Sequence, residues 1–249
     1  MLRPARLLTV IMLSLLGAGA CKAQGPEADT AGMPAASAEP AAPAAAPAAA
    51  PMPPAGPAKY RVELTPLWTK DGFPLEYPAA KAHFSGLIGT AHDADYRIVR
   101  DGEPPSPGLE RLSEMGKHDP LDAEIKAAIA AGDALALTES AALKDFSQTA
   151  TAEVMVDDAH QWVSLVAMIA PSPDWFAAVV DVNLLENGAW VASKTVDVTA
   201  WDSGGDDGVT YLAADKDTNP KNPAAVNMSP HFLADGRPMP VARITFTRM

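Results

Sequence analysis

The chain has 249 residues, 48% of them hydrophobic and 20% charged, which is enough apolar content for the core of one domain with an appendage. Its formal net charge of −12 argues against nucleic acid or an anionic membrane surface as the main partner, because phosphate binding needs clustered Lys and Arg. The single cysteine, Cys21, excludes an intramolecular disulfide, so stability rests on core burial and on any bound metal.

The first stretch, MLRPAR, carries two arginines and is followed by the apolar run LLTVIMLSLLGAGA. A basic region, an apolar stretch too short to span a bilayer comfortably and a run of small residues predict a secretory signal over residues 1–20. Cys21 directly after GAGA resembles the lipobox of bacterial lipoproteins, which implies cleavage before Cys21 and lipidation of its thiol. Ala18 departs from that pattern, which prefers leucine there; the plainer alternative is a signal peptide with an incidental cysteine. Lys22 carries no inner-membrane retention signal, so the resemblance implies a lipid anchor in the bacterial cell envelope, in its outer membrane. Residues 21–58 are then the lipidated cysteine and a linker of Ala, Pro and small polar residues, which cannot bury enough apolar surface to offset the entropy of ordering. Recurrent proline favours polyproline II, a semi-rigid spacer that reaches roughly 100 Å at about 3.1 Å per residue.

Residues 59–249 have the composition of one folded domain. In YRVELTPLW, Tyr60, Val62 and Leu64 alternate with polar neighbours and predict a strand; DYRIVR (95–100) is a second, shorter candidate. PGLERLSEMG (107–116) and PLDAEIKAAIAAG (120–132) carry helical spacing, with Leu121, Ile125 and Ile129 at four-residue steps and Gly132 as a stop. QWVSLVAMIA, WFAAVVDVNLL, AWVASKTVDV, VTYLAA and VARITFTR follow as a run of strands without helices between them. The predicted fold class is mainly β: an antiparallel β-sandwich or barrel with one or two short helices.

WDSGGDDG (201–208) then places Asp202, Asp206 and Asp207 within six positions. Like charges that close repel unless something neutralises them, although a solvated acidic turn is the bland alternative. Asn187-Gly188 is a strong hairpin signal, and a two-residue loop there pairs positions that sum to 375. That register sets Asp174 of PSPDW opposite Trp201 and beside Asp202, with Asp206 on the loop that leaves the hairpin. Three carboxylates at the mouth of a sandwich suit calcium, a hard cation with six to eight oxygen ligands and flexible geometry, better than magnesium. Asp207 is either a fourth contributor or a residue that faces water.

Competing motifs fail. DKDTNP (215–220) begins like an EF-hand loop, but Pro220 stands where glycine is needed and Val226 where the bidentate glutamate belongs, so it reads as a surface loop. His83, His92, His118, His160 and His231 show no zinc spacing, and there is no nucleophile elbow or phosphate loop. Convergent carboxylates could also serve as the acid and base of a glycosidase, but such pairs are usually Glu or Asp in a long cleft. The expectation is that the chain is not an enzyme.

YRVELTPLWT, FPLEYPAAKAHFSGLIGTAH, SPGLERLSEMG, VSLVAMIAPSPDWF and WDSGGDDGVTY, in that order, resemble the spondin N-terminal domain over roughly residues 59–248. The resemblance implies a β-sandwich similar to C2 domains with one calcium ion held by Asp174, Asp202 and Asp206. Asp207 replaces a neutral residue of the family loop, and Ala177 and Ala178 stand where relatives tend to have glycine. His83 and His92 are expected to be satisfied core or loop residues, and Trp68, Trp162, Trp175 and Trp201 to pack the sandwich. The implied function is an exported, lipid-anchored calcium-binding module for recognition or adhesion, whose partner is a surface protein, glycan or glycolipid. One alternative is a structural envelope protein in which calcium only staples loops; a metal-assisted hydrolase is the third reading.

Overall fold

The structure is a computed structural model and describes residues 56–249. The expected signal segment, Cys21 and the linker up to residue 55 lie outside the described residues. The first elements are strands β1 (Ala58–Pro66), β2 (His83–Phe84) and β3 (Ile88–His92), then helices α1 (Pro107–Met115) and α2 (Leu121–Ala131). Strands β4 (Ala134–Glu139), β5 (Ala150–Val156), β6 (Trp162–Ala170) and β7 (Trp175–Asn183) follow, with the small hairpin β8 (Leu185–Glu186) and β9 (Ala189–Trp190). Last come β10 (Ser193–Asp202), β11 (Ala225–Val226), a 3-10 turn at Pro230–Phe232, the short pair β12 (Leu233–Ala234) and β13 (Arg237–Pro238), and β14 (Pro240–Arg248).

The main sheet runs β4-β3-β6-β7-β10-β14-β1-β5, with every pairing antiparallel. It curls until its two edges meet, where Thr138 Oγ1 on β4 donates to the Glu153 carbonyl on β5 at 3.2 Å. The expected mainly β architecture, nearly closed like a sandwich or barrel, is present. Tyr60, Val62 and Leu64 point inward from β1 and join Leu165, Trp175, Ile244 and Phe246 in the larger core. A second core lies on the other side of the sheet, where Val166 and Phe176 meet Leu109, Leu112, Leu121 and Ile125 of the two helices. Strands β6 and β7 are therefore covered on both faces, which is why VSLVAMIA reads as a continuous apolar run.

Both helices form where expected. Ser106 caps α1 by accepting from Leu109 N at 3.1 Å, Pro107 opens it, and Gly116 ends it at φ 63. Gly132 ends α2 in the same left-handed conformation, at φ 91. Glu124 of α2 reaches back to accept from Gly108 N at 2.7 Å and from Ser106 Oγ at 2.6 Å, which fixes the two helices to each other.

Two expected strands are absent. DYRIVR forms a bent loop in which Ile98 and Val99 are buried in the second core. Burying two such side chains contributes about 1.5–3 kcal/mol each, whereas ordering each backbone residue costs about 1–2 kcal/mol. Those anchors alone do not order the loop; the bonds Gly102 N to Ala224 O (2.9 Å) and Ala224 N to Glu103 O (2.8 Å) also hold it. VTYLAA is likewise a loop: Tyr211 is buried, but Val209 and Leu212 stand exposed, so no strand face forms. An apolar residue that anchors a loop leaves the same mark in the sequence as one that faces a core from a strand.

Candidate metal centre

Hairpin geometry positions the aspartates, with one change from the expected register. At the turn, Glu186 pairs with Ala189 and Leu185 with Trp190, as a two-residue loop at Asn187-Gly188 requires. Further along, Ala200 pairs with Ala177, Trp201 with Phe176 and Asp202 with Trp175, a shift of two. Nine residue steps separate Val191 from Ala200 but only seven separate Leu184 from Ala177, because β10 leaves β7 to pair with β14 before it returns. Asp174 therefore lies beside Ser203, whose N–H donates to the Asp174 carbonyl at 3.2 Å, and not opposite Trp201.

Asp174 is fully buried. Its Oδ2 accepts from Ser203 Oγ at 2.9 Å, Gly205 N at 2.8 Å and Asp206 N at 3.2 Å, while Oδ1 has no hydrogen-bond partner. A buried carboxylate oxygen left unpaired costs free energy, so this atom asks for a ligand. Asp202 closes β10, and its Oδ1 accepts from Gly204 N at 3.0 Å. Asp206 is buried and accepts from Gly208 N at 2.6 Å and Lys216 N at 2.5 Å. Asp207 faces solvent, where its carboxylate takes Asn222 Nδ2 at 3.2 Å and Lys216 Nζ at 3.3 Å.

Electrostatics agree with an uncompensated site. Burial pushes the Asp174 carboxyl above its usual value against the three hydrogen bonds that favour its charge, and the Asp206 charge adds to the rise. Asp202 is pushed up to about 6 by burial first and then by the Asp174 charge. The structure brings the three aspartates to one pole of the sandwich. It does not close them into a set of ligand atoms within 4.8 Å of one another; among the described residues that distance is met by Glu110, Glu114 and Asp217.

That second cluster has its own cation. Lys221 Nζ meets Glu110 Oε1 at 2.8 Å, pairs with Asp217 and donates to Gly205 O at 3.2 Å. Glu114, beside it, is pushed up to about 7 by burial and by the Glu110 charge. Glu110 and Glu114 are four apart on one helix face, where like charges repel, and that spacing was the available signal for a cation nearby. DKDTNP is the expected surface loop, with Thr218 its one buried residue, and it also braces the acidic loop: Thr218 Oγ1 donates to the Gly204 and Gly205 carbonyls at 2.7 and 2.8 Å, and Asn222 N donates to Gly204 O at 2.8 Å.

Two predictions follow from this frame. Gly204 sits at φ 80, and a Cβ there would lie 2.2 Å from the Asn222 carbonyl oxygen. Gly204→Ala is expected to cost about 2–3 kcal/mol in urea unfolding, since the strained backbone and the clash coincide. Lys221→Met leaves Glu110 and Asp217 facing each other without their cation, and is expected to cost about 1–2 kcal/mol, less at high salt. An unchanged melt for either variant would remove that residue from the support of the loop.

Of the remaining expected residues, His92 is fully buried and hydrogen-bonded through both ring nitrogens, to Asp93 O at 2.7 Å and Ser164 Oγ at 2.8 Å. His83 bonds Lys81 O at 2.8 Å from a partly exposed position. Trp68 and Trp175 are buried in the larger core, while Trp162 and Trp201 are partly exposed.

Comparison with known proteins places this arrangement. The family Spondin_N matches residues 58–232. The chain belongs to the Spondin_N family. Spondin-2 of Rattus norvegicus and of Homo sapiens are each 32% identical over 207 residues, which cover 77% of this chain and 62% of theirs. Spondin-1 of Xenopus laevis is 28% identical over 208 residues, 78% of this chain and 25% of that one. The Spondin_N chain described here thus spans about three fifths of spondin-2 and a quarter of spondin-1. Among the described residues no helix is long and apolar enough to cross a membrane.

Proposed function

We propose that this Spondin_N chain is an exported, lipid-anchored recognition or adhesion module whose loops are ordered by one calcium ion held by Asp174, Asp202 and Asp206. The lipid would sit on Cys21 and hold the domain to the bacterial cell envelope, and the domain would act by binding a surface partner without catalysis. The observation that carries the calcium reading is the buried, unpartnered Asp174 Oδ1 at a pole where burial and mutual repulsion raise two carboxyl groups. An all-oxygen donor set of carboxylates and loop carbonyls suits a hard, flexible cation. When bound, the ion supplies the positive charge that this pole lacks. Ser203 holds Asp174 in place and is itself held by Ser113 Oγ at 2.9 Å, so helix α1 supports the first ligand.

The burial of Asp174 and Asp206 favours a second reading of the ion's role. In it the ion staples the loops, and the partner binds elsewhere on the domain.

Thermal unfolding of the chain in chelator, then in millimolar calcium or magnesium, tests the metal. At calcium about a hundred times Kd the gain is roughly 2.7 kcal/mol, or about 5–11 °C in midpoint for a domain of this size. Asp206→Ala is expected to abolish it. A midpoint indifferent to calcium in the wild-type chain would end the metal assignment.

A further inference from the structure

The segment 94–105, between β3 and α1, leaves a shallow, open cleft of about 580 Å³ against β7 and β10. Trp201 and Val180 line it from the sheet, and Asp95, Arg97, Arg100 and Asp101 from the segment. Trp201 stacks on Phe176 with ring centroids 6.3 Å apart and planes 27° apart, so Phe176 backs one face of the indole while the ring still lines the cleft. Arg97 is fixed before any ligand arrives: Nε meets Asp181 Oδ2 at 2.6 Å, and Nη1 donates to the Tyr96 carbonyl at 2.7 Å. Asp181 is itself held at φ 52, a conformation that non-glycine residues rarely adopt, with its N–H donating to Ser164 Oγ at 3.0 Å. A second cavity of about 300 Å³ shares Arg97, Arg100 and Glu103 with the first and is lined by Tyr96 and Glu124.

The lining selects a class of ligand. Arg97 is paired with Asp181 and Arg100 with Glu103, while Asp95 and Asp101 have no opposing cation among the described residues. A phosphate or carboxylate would meet this net negative lining and be repelled. A purely apolar ligand would strip water from Asp95 and Asp101 and offer them no hydrogen bond in return. A cationic peptide would suit Asp95 and Asp101 but would also face both guanidiniums. A neutral polyhydroxylated ligand satisfies every group: hydroxyls donate to the carboxylates and accept from the arginines, and an apolar ring face lies on the indole.

We propose that this cleft binds a neutral oligosaccharide, with one sugar ring on Trp201 and its hydroxyls between Asp95, Asp101 and the arginines. The assignment rests on the reading of the domain as a recognition module, names the partner's chemistry, and does not require the ion. The test is a glycan array carrying neutral, sulfated and phosphorylated oligosaccharides, probed with the full chain in calcium and again in EDTA. Isothermal titration with the best neutral hit, and separately with a tetralysine peptide, follows. Neutral glycans are expected to bind in both buffers. Trp201→Ala is expected to weaken that binding at least tenfold. Asp101→Asn, at an exposed position, is expected to weaken it about threefold at an unchanged melting temperature. Binding confined to anionic glycans or to tetralysine, no binding at all, or equal binding by both variants overturns the assignment. Binding that disappears in EDTA would move the ligand to the ion and overturn it too, whereas a failed calcium melt with intact glycan binding would sink the metal reading alone.

Discussion

In chelator at pH 7.5, Asp202→Asn is expected to be more stable than the wild-type chain, by up to about 3 kcal/mol, and to show no calcium response. The folded chain holds the Asp202 carboxyl at about 6, above its ordinary 3.8, because burial and the Asp174 charge penalise its ionised form. At about 1.4 kcal/mol per pH unit, that separation of some two units amounts to about 3 kcal/mol. The sign follows from the raised value. Below pH 3.8 the group is protonated in both states and costs nothing; as the pH rises through 6 the folded state must ionise it, and stability is lost. Asparagine keeps the acceptor for Gly204 N–H and removes the charge. The difference between variant and wild type in urea unfolding should therefore be small at pH 4 and grow through pH 6. Calcium narrows that difference at neutral pH, because only the wild type gains from the ion. A variant less stable than the wild type in chelator at every pH would show that Asp202 is not under electrostatic strain.

The same physics explains which parts of the fold were legible in the sequence. Strand β1 showed itself through the alternation of Tyr60, Val62 and Leu64, which needs only one buried face. Helices α1 and α2 were legible from the helical spacing of their residues, and the end of α2 from its Gly132 stop. The register of the long hairpin was not, because from Ser193 to Thr199 β10 pairs with β14, a strand some fifty residues later, and it meets β7 only from Ala200, two residues out of step. The aspartates on the pole were visible as a local excess of like charge. Their support was not: Glu110 and Glu114 sit on a helix some ninety residues before the loop they face, and Lys221 looked like one more surface lysine. Local charge patterns reveal a strained site, while the groups that relieve the strain come from wherever the fold brings them.

Acidification is expected to weaken the chain through His92, at the opposite sign to the carboxylates. The ring is fully buried, and Nδ1 faces the Asp93 carbonyl at 2.7 Å, an acceptor only, so Nδ1 carries the proton. Nε2 is then the acceptor for Ser164 Oγ at 2.8 Å. Burial lowers the His92 pKa; the nearby Asp93 carbonyl and the Asp181 carboxylate, 3.5 Å from Nε2, favour the charged ring, but burial is the larger effect, with Arg97 on its side. A histidine lowered in the folded state contributes stability above its unfolded value of about 6.5 and loses it as the pH falls below that value, because the unfolded chain takes up the proton first. His92→Gln cannot reach both partners and is expected to cost about 1–3 kcal/mol at pH 7.5 by leaving one buried polar group unpaired. Since glutamine does not titrate, the gap between wild type and variant should narrow as the pH falls from 7.5 to 5. Urea unfolding of both chains at the two pH values measures it. A gap that stays constant would mean that His92 is protonated alike in the folded and unfolded chains, and that its buried network is not the acid-sensitive element of the sandwich.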